Sequence, residues 1–399
     1  MKQSKTVTAL CFLAVQGLSL VLVVSGAVQV GLDWKEPVAL YWPQDMSYTG
    51  LVTWFEDTCR AFCTTELPGR EKLTEANAAI NRAAGKWIFE STSPQVVPLS
   101  DGHLSGVEHI YYYLDQSDKK VAELAEWTES TLGAPFLYVQ APCALCQYQE
   151  DQLPLPEMSN ENAEASWLLR GLEKRGVDWL DLRESLHGDG LDHAGCFYYT
   201  DHHWTMETGL WAARTMAEEL NERYGLGMDA AALAPEKFTD RTWERVFLGS
   251  WGRKVTLSFA QPEDFVLPVP EGECSFRLTV PAGGVDLTGG FDILYDEAAI
   301  TPADLYTGNS YGAVLGGDCP YLVVQNLQNP DGPVLAVLRE SFAVAPGPYL
   351  SMAAGQVHFI DARYYQGSVR ELLERIRPDA VALLVNVQCH TGAYVDLVR

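Results

Sequence analysis

The chain has 399 residues, with 53 acidic and 28 basic side chains, which gives a formal net charge of −25. Hydrophobic residues make up 47% of the sequence, enough for a substantial core, so the composition excludes wholesale disorder. The negative charge argues against nucleic acid as a partner, because binding to phosphates needs a basic surface. The length is sufficient for one large domain or two modest ones.

The amino terminus differs in composition from the rest of the chain. Lys2 and Lys5 precede an uncharged run, residues 6–32, which exceeds the ~20 residues of a membrane-spanning helix. The alternative is a signal peptide cleaved at the small residues 25–27, but its apolar core would be shorter, ~7–15 residues. We predict a cytoplasmic tip and an uncleaved transmembrane anchor over 1–32. The lysines predict a single-pass protein of the cell membrane with the bulk of the chain extracytoplasmic.

Residues 33–85 are predicted to form a stalk and a helical segment, and the main domain, residues 86–399, follows. In that domain strands and helices alternate, which is typical of a parallel sheet covered by helices on both faces. The predicted strands are 87–89, 135–140, 177–182, 334–338, 357–361 and 380–387. The predicted helices are 117–132, 163–174, one capped by Thr205 and ended by Gly225, and 368–376.

Residues from about 246 to 295 interrupt the alternation, and we predict a β-rich insertion there. Four segments look like strands joined by Gly/Pro turns: 254–259, 265–269, 276–280 and 291–295.

The cysteines leave two interpretations open. Cys11 falls in the predicted anchor, and the other eight of the nine permit disulfides. Cys143 and Cys146 have the CxxC spacing of redox or half-zinc sites, but a second CxxC is missing. A structural bridge or free thiols are the favoured alternatives, and the pairing cannot be deduced from sequence.

The run from Asp201 to Trp204 places a carboxylate, two imidazoles and a large aromatic side chain next to one another. If it is extended, Asp201 and His203 share a face and His202 points the other way. A carboxylate that orients an imidazole is half of a nucleophile–base–orienter triad. The alternative is that these residues only cap and brace the following helix. The histidine spacing fits zinc poorly, so we predict no metal and no cofactor.

Ser341 is the candidate nucleophile. It follows a predicted buried strand closely, at the sheet edge where open α/β folds place their sites, although a helix N-cap is the alternative. Gly317 and Asp318 lie in a glycine turn whose backbone could approach an oxyanion, or which is only a turn. Arg253, beside an aromatic residue, could grip a sugar or a carboxylate, or simply lie on the surface.

Taken together, these segments resemble the bacterial DHHW protein family. The resemblance rests on TDHHWT at 200–205, GSWGR at 249–253, YGAVLGGD at 311–318, RESFA at 339–343 and IDARYY at 360–365, in that order. It covers roughly Leu51 to Val387. That family looks like a relative of the SGNH-type hydrolases and of the alginate O-acetyltransferase-like proteins with an Asp-x-His pair.

The resemblance implies a fold and a set of roles. The implied fold is an SGNH hydrolase-like α/β domain with a parallel sheet flanked by helices. Asp201 would be the orienter, His203 the base and Ser341 the nucleophile. The Ser341 N–H would donate to an oxyanion, with Gly317 or Asp318 in or near the same hole. Trp204 and Arg253 complete the candidate site as oxyanion- or substrate-binding residues, with Trp204 either a wall of the site or an anchor for its loop.

The resemblance also implies an acyltransferase or esterase acting on O-acyl groups, acetyl above all, of a cell-surface polysaccharide. A membrane acyl carrier or O-acyltransferase is a candidate partner. Two residues depart from the family pattern: Glu340 stands where an aspartate is usual, and Asp318 where an asparagine is frequent. An ionised aspartate cannot donate a hydrogen bond to an oxyanion. The alternative function is therefore an inactive carbohydrate-binding or envelope-assembly protein.

Overall fold

The computed structural model describes residues 70–85 and 95–398, except 108, 110, 115, 150, 156 and 157. The predicted anchor, most of the predicted stalk and helical segment, and the predicted strand at 87–89 lie outside these residues. The chain divides into two compact units, Met1–Gly85 and Lys86–Arg399. Within the described ranges, no helix has both the length and the apolar character needed to cross a bilayer.

Strands and helices alternate along much of the second unit. The strands are β1 Gln95–Pro98, β2 Leu104–Val107, β3 Phe136–Ala141, β4 Trp179–Asp181, β5 Phe238–Phe247, β6 Glu263–Pro270, β7 Phe276–Val280, β8 Val285–Gly289, β9 Tyr321–Asn326, β10 Val334–Arg339, β11 Gln356–Ile360 and β12 Ala380–Asn386. The helices, counted from α1 Arg70–Ala83 in the first unit, are α2 Ser117–Trp127, α3 Glu161–Lys174, α4 Leu182–Gly188, α5 Met206–Tyr224, α6 Ser250–Val255, α7 Glu297–Ile300, α8 Gly347–Ala353, α9 Val369–Ile376 and α10 Thr391–Leu397.

The main sheet has eight strands in the order β4-β3-β12-β10-β11-β9-β7-β8. The first five are mutually parallel. The last three pair antiparallel, through β9 against β11 and β7 against β9 and β8. The prediction of a parallel sheet was therefore right for five strands, and the complete sheet is mixed. The carboxyl ends of the five parallel strands lie at one edge, where β10 delivers Ser341.

The central strands are buried on both faces. In β12, Ala382 and Leu384 join one hydrophobic core, and Leu383 and Val385 join the other. This division follows from the alternation of side chains along a strand. Helix α5 packs into the first core, and helices α2, α9 and α10 pack into the second. A central strand buried on both faces explains the nearly continuous apolar run AVALLV that the sequence shows there.

Helix α5 begins and ends where its sequence predicts. The Thr205 side chain accepts a hydrogen bond from the N–H of Thr208, which is an N-cap, and Gly225 ends the helix with a left-handed φ of 65°. Both terminal predictions are confirmed.

The predicted β-rich insertion at 246–295 was only partly right. Strands do occupy 265–269 and 276–280, but β6 pairs with β5 in a hairpin and β7 joins the main sheet. The other two predicted strands were wrong. Residues 254–259 include the end of helix α6, and a 3₁₀ turn, Phe291–Leu294, replaces the last one. Trp251 and Val255 are both buried and lie four residues apart, a spacing that places them on the same face of helix α6.

Candidate active site

Ser341 lies at the first position of a 3₁₀ turn, Ser341–Val344, directly after β10. Glu340 is the N-cap of this turn, and its carboxylate accepts the N–H of Phe342. The other carboxylate oxygen accepts the N–H of Asn386, at the end of the neighbouring strand β12, at 3.1 Å. The longer Glu340 side chain thus ties the turn that bears Ser341 to the adjacent parallel strand.

Asp201 and His203 are paired within a tight loop. A β-bridge between Phe197 and Trp204 closes this loop. Asp201 Oδ1 accepts both the His203 backbone N–H, at 3.0 Å, and the His203 ring nitrogen Nδ1, at 2.5 Å. The pair therefore forms through an Asx-type turn and not through the strand-like alternation assumed from the sequence. Asp201 Oδ2 accepts the first N–H of helix α6, from Ser250, at 2.5 Å.

The two halves meet at the edge of the sheet. His203 Nε2 lies 2.8 Å from Ser341 Oγ, although the residues are 138 positions apart in sequence. Because His203 Nδ1 is engaged by Asp201, Nε2 is the nitrogen that faces the serine. The orienter is thus hydrogen-bonded to the base, and the base lies within hydrogen-bond distance of the nucleophile, the arrangement needed for nucleophilic acyl chemistry. The Ser341 hydroxyl also donates to Glu340 Oε2 at 3.0 Å.

Aromatic contacts hold the His203 ring in place. His203 lies between His202, with ring centroids 3.8 Å apart, and Tyr311, with centroids 4.0 Å apart and planes 16° from parallel. The buried Tyr311 hydroxyl also donates to the carbonyl of Ser341 at 3.0 Å. One residue therefore contacts both the base and the nucleophile. Sequence reasoning missed this role, although Tyr311 begins the YGAVLGGD segment.

A half-buried carboxylate also supports the loop. Glu263, on β6, accepts the N–H groups of Tyr199 and Thr200 at 2.6 and 2.7 Å, together with the Thr200 hydroxyl. Close packing adds to this support, because a Cβ on Gly249 would lie 2.3 Å from the Cβ of Asp201. The sequence analysis gave Glu263 no role and included Gly249 only within the GSWGR segment, since each lies far from the loop in sequence.

The electrostatics of the site favour an ionised Asp201. Burial alone would raise the pKa of Asp201, but His202, His203 and the Ser250 N–H outweigh it, and the net pKa is lowered. An ionised carboxylate at this position can stabilise an imidazolium on His203. Glu340 behaves differently: burial raises its pKa, and only part of that shift is offset by Arg363 and His203.

A cleft of about 470 Å³ opens beside the serine. Ser341, Glu340, His202 and Arg363 contribute to its walls, and residues 388–390 with helix α10 form the opposite side. Arg363 makes two hydrogen bonds to Asp361, of 2.9 and 2.7 Å, which fix the guanidinium at the cleft wall. Sequence reasoning quoted Arg363 within the IDARYY segment but gave it no role.

Comparisons with known proteins agree with this architecture. Residues 116–255 match the family model for the SGNH hydrolase-like domain of the acetyltransferase AlgX. The structure of Bacillus cereus PatB1 superposes with a TM-score of 0.60 at 18% identity, covering 75% of this chain and 98% of that chain. The chain has the SGNH hydrolase-like fold.

Further solved structures extend the likeness. PatB1 carrying a sulfonyl adduct gives a TM-score of 0.59 at 18% identity, over 75% of this chain and 96% of that one. A DHHW family protein from Eubacterium siraeum gives 0.60 at 15% identity, over 77% and 95%. The fold that the resemblance to the DHHW and SGNH-type proteins implied is confirmed. No curated protein sequence matches the chain.

The other predicted site residues do not all lie near Ser341. Asp318 lies 3.4 Å from Arg363 and so adjoins the cleft wall. The Gly317 N–H donates to the carbonyl of Val314 at 3.0 Å and is used within its own turn. Arg253 donates to the carbonyl of Gly308 and so braces a loop. The structure thus brings Asp318 towards Ser341, but not the Gly317 N–H or the Arg253 guanidinium.

Trp204 packs beneath the nucleophile. Its side chain is fully buried, and Nε1 donates to the carbonyl of Phe342 at 3.0 Å. It has no exposed surface with which to contact a substrate, so the structure contradicts the predicted substrate-binding position and agrees with the alternative, an anchor for the loop.

The packing of Trp204 predicts a change in stability. Trp204→Phe removes the hydrogen bond to Phe342 and leaves a small cavity, so we expect the free energy of unfolding to fall by about 1–3 kcal/mol. Chemical denaturation of the purified variant measures this change. Trp211→Phe is the control, because Trp211 is only partly buried and its Nε1 contacts the exposed Asp189 carboxylate. An equal or smaller loss for Trp204→Phe would contradict the supporting role.

Metal-ligating side chains also come together here. In the part of the chain that the structure describes, Asp201, His202 and His203 are the one group whose ligand atoms lie close enough for a metal ion, within 4.8 Å. The Nδ1 atoms of both histidines already take part in hydrogen bonds, His203 with Asp201 and His202 with Ser250. A metal ion would have to replace those hydrogen bonds.

Proposed function

We propose that the protein transfers or removes O-acyl groups, acetyl above all, on a cell-surface polysaccharide, with Ser341 as the nucleophile. The observation that carries this proposal is the 2.8 Å approach of His203 Nε2 to Ser341 Oγ, with Asp201 bonded to the other ring nitrogen. The match of residues 116–255 to an acetyltransferase family model supports acetyl as the group that is transferred or removed.

The first half of the reaction forms an acyl-enzyme. Ser341 Oγ attacks the acyl carbonyl carbon while His203 Nε2 takes the hydroxyl proton. Asp201 keeps the proton on Nδ1 and stabilises the imidazolium. When the carbon–oxygen bond to the donor breaks, His203 gives its proton to the leaving oxygen. In the second half, water or a sugar hydroxyl attacks the ester on Ser341, and the same proton transfers run again.

The tetrahedral intermediate needs donors for its oxyanion. The Ser341 N–H opens a helical turn, so it has no acceptor within that turn. The Phe342 N–H is taken by Glu340 and the Gly317 N–H by Val314. We therefore assign the Ser341 N–H as the first oxyanion donor, with positive charge supplied by Arg363 on the cleft wall.

The proposal places this domain outside the cytoplasm, on a single-pass membrane anchor. The uncharged run at 6–32 and the lysines before it support this location. The polysaccharide is the expected macromolecular partner, and a membrane acyl carrier or O-acyltransferase would supply the acyl group. Nucleic acid remains excluded as a partner by the net charge of −25.

The proposed activity can be tested with the full-length chain in detergent. We expect hydrolysis of a chromogenic acetyl ester, and acetylation of at least one extracellular polysaccharide in a panel, read by NMR of the recovered polymer. A chain that binds a polysaccharide but neither cleaves the ester nor acetylates any polymer would contradict the proposal. That result would favour an inactive binding protein with the same fold.

A further inference from the structure

His202 lies in the cleft, beside the triad and not behind it. The sequence pattern predicted that its side chain points away from Asp201 and His203. The structure contradicts this, because the loop folds through an Asx-type turn and the His202 ring lies against the His203 ring, with centroids 3.8 Å apart. The His202 side chain is 28% exposed and shares the cleft wall with Ser341.

The hydrogen bonds of His202 leave one ring nitrogen for a ligand. Nδ1 lies 2.9 Å from Ser250 Oγ, on helix α6. Nε2 has no hydrogen-bond partner among the residues that the structure describes. Burial, with the neighbouring His203, lowers the pKa of His202, so the ring is neutral at physiological pH. A neutral imidazole nitrogen pairs with a hydroxyl group, which both donates and accepts.

We propose that His202 Nε2 binds the hydroxyl group of the acyl acceptor, and so favours transfer to a sugar over transfer to water. This inference rests on the proposed function and names a specificity-determining residue for its second half. A hydroxyl that gives its proton to His203 must lie at the face of the cleft where the His202 and His203 rings meet. A sugar has several hydroxyls, so its other hydroxyls can form further hydrogen bonds that keep the reacting one in this position. A water molecule has a single oxygen and lacks those additional contacts.

In the step that His202 assists, the acyl group moves from Ser341 to the acceptor and every proton is accounted for. The acceptor oxygen attacks the carbonyl carbon of the Ser341 ester, and His203 Nε2 takes the acceptor proton. The bond between that carbon and Ser341 Oγ then breaks, and His203 returns the proton to Ser341 Oγ. His202 holds the acceptor oxygen throughout and gains or loses no proton.

The ratio of transfer to hydrolysis tests this role. The full-length chain is given a chromogenic acetyl ester with glycerol, a triol with sugar-like hydroxyls, and acetylglycerol and acetate are both measured. Both products come from one acetyl-enzyme, so their ratio is independent of the acylation rate. We expect His202→Phe, which keeps an aromatic ring against His203, to lower the ratio about fivefold. His202→Gln, whose amide can reach the Nε2 position, is expected to recover most of the ratio. His187→Phe, at an exposed histidine stacked on Tyr148, is the control.

Each other outcome has a defined meaning. An unchanged ratio in His202→Phe, or an equal fall in His202→Gln, would overturn the inference, because the effect would be absent or would come from packing. A wild-type chain that hydrolyses the ester through Ser341 but forms no acetylglycerol would also overturn it, while the proposed function stands as an esterase. If no hydrolysis depends on Ser341, both the inference about His202 and the proposed function would be wrong.

Discussion

Ser341→Ala is expected to lower the rate of acetyl ester hydrolysis at least about a thousandfold, since it removes the hydroxyl that lies beside the base and attacks the carbonyl in the proposed reaction. The His203–Asp201 pair and the backbone of the turn remain in this variant, so the fold should be kept. Steady-state kinetics with a chromogenic ester measure the loss, and far-UV circular dichroism checks the fold. A serine-reactive fluorophosphonate should label the wild type and leave the variant unlabelled.

The matched control for this substitution is Ser185→Ala. Ser185 lies in helix α4, and its hydroxyl donates only to the Asp181 carbonyl of the preceding turn. The control should keep both hydrolysis and labelling. If Ser341→Ala hydrolyses the ester as fast as Ser185→Ala does, Ser341 is not the nucleophile.

Asp201→Asn should cost about a thousandfold in kcat/KM, despite the near-identical size of the two side chains. Asp201 accepts the His203 ring on one oxygen and the Ser250 N–H on the other. An asparagine cannot accept on both sides. If its oxygen stays with Ser250, its amide donates to His203 Nδ1, and the ring then presents an N–H, not a lone pair, to Ser341. His203 could no longer take the serine proton.

The pH–rate profile separates this explanation from a simple loss of fold. Asp286→Asn is the control, because Asp286 forms an exposed ion pair with Arg277 on the β7–β8 hairpin. Asp201→Asn should remain folded at the assay temperature, as circular dichroism would show, and yet be slow at every pH. Activity within about tenfold of the control would mean that Asp201 does not orient the base.

The sequence was sufficient to predict the alternation of strands and helices in the domain. Buried strands such as β10 and β12 have continuous apolar runs, and helix α5 has its cap and its terminal glycine, so local chemistry defines each of them. The antiparallel strands β9, β7 and β8 were harder. Their order depends on pairing between distant segments, for which the sequence has no local signal.

The candidate site divides in the same way. Asp201 and His203 are two residues apart, so their pairing could be predicted, although the reason given for it was wrong. An extended strand would have turned His202 away, and the Asx-type turn instead brings it into the cleft. Tyr311 and Glu263 act through contacts across the fold, and nothing near them in sequence pointed to His203 or to Thr200.

Glycine and arginine motifs were the least reliable predictors. The Gly317 N–H is used by its own turn, and Arg253 meets a loop carbonyl, so both satisfy local backbone groups. Arg363 lies at the cleft wall instead, because two hydrogen bonds to Asp361 at the end of β11 hold it there. The position of an arginine such as Arg253 or Arg363 depends on the groups to which its guanidinium is hydrogen-bonded. Those contacts are set by the tertiary structure.

The central claim is that Ser341 carries the acyl group, and the position of the acyl adduct tests it most directly. The full-length chain would be mixed with an acetyl ester, quenched in acid during the first turnovers, digested and mapped by mass spectrometry. We predict an acetyl group on Ser341, within the peptide that follows β10, and none on that peptide in Ser341→Ala. An adduct on another side chain, or turnover with no adduct in either protein, would contradict the account.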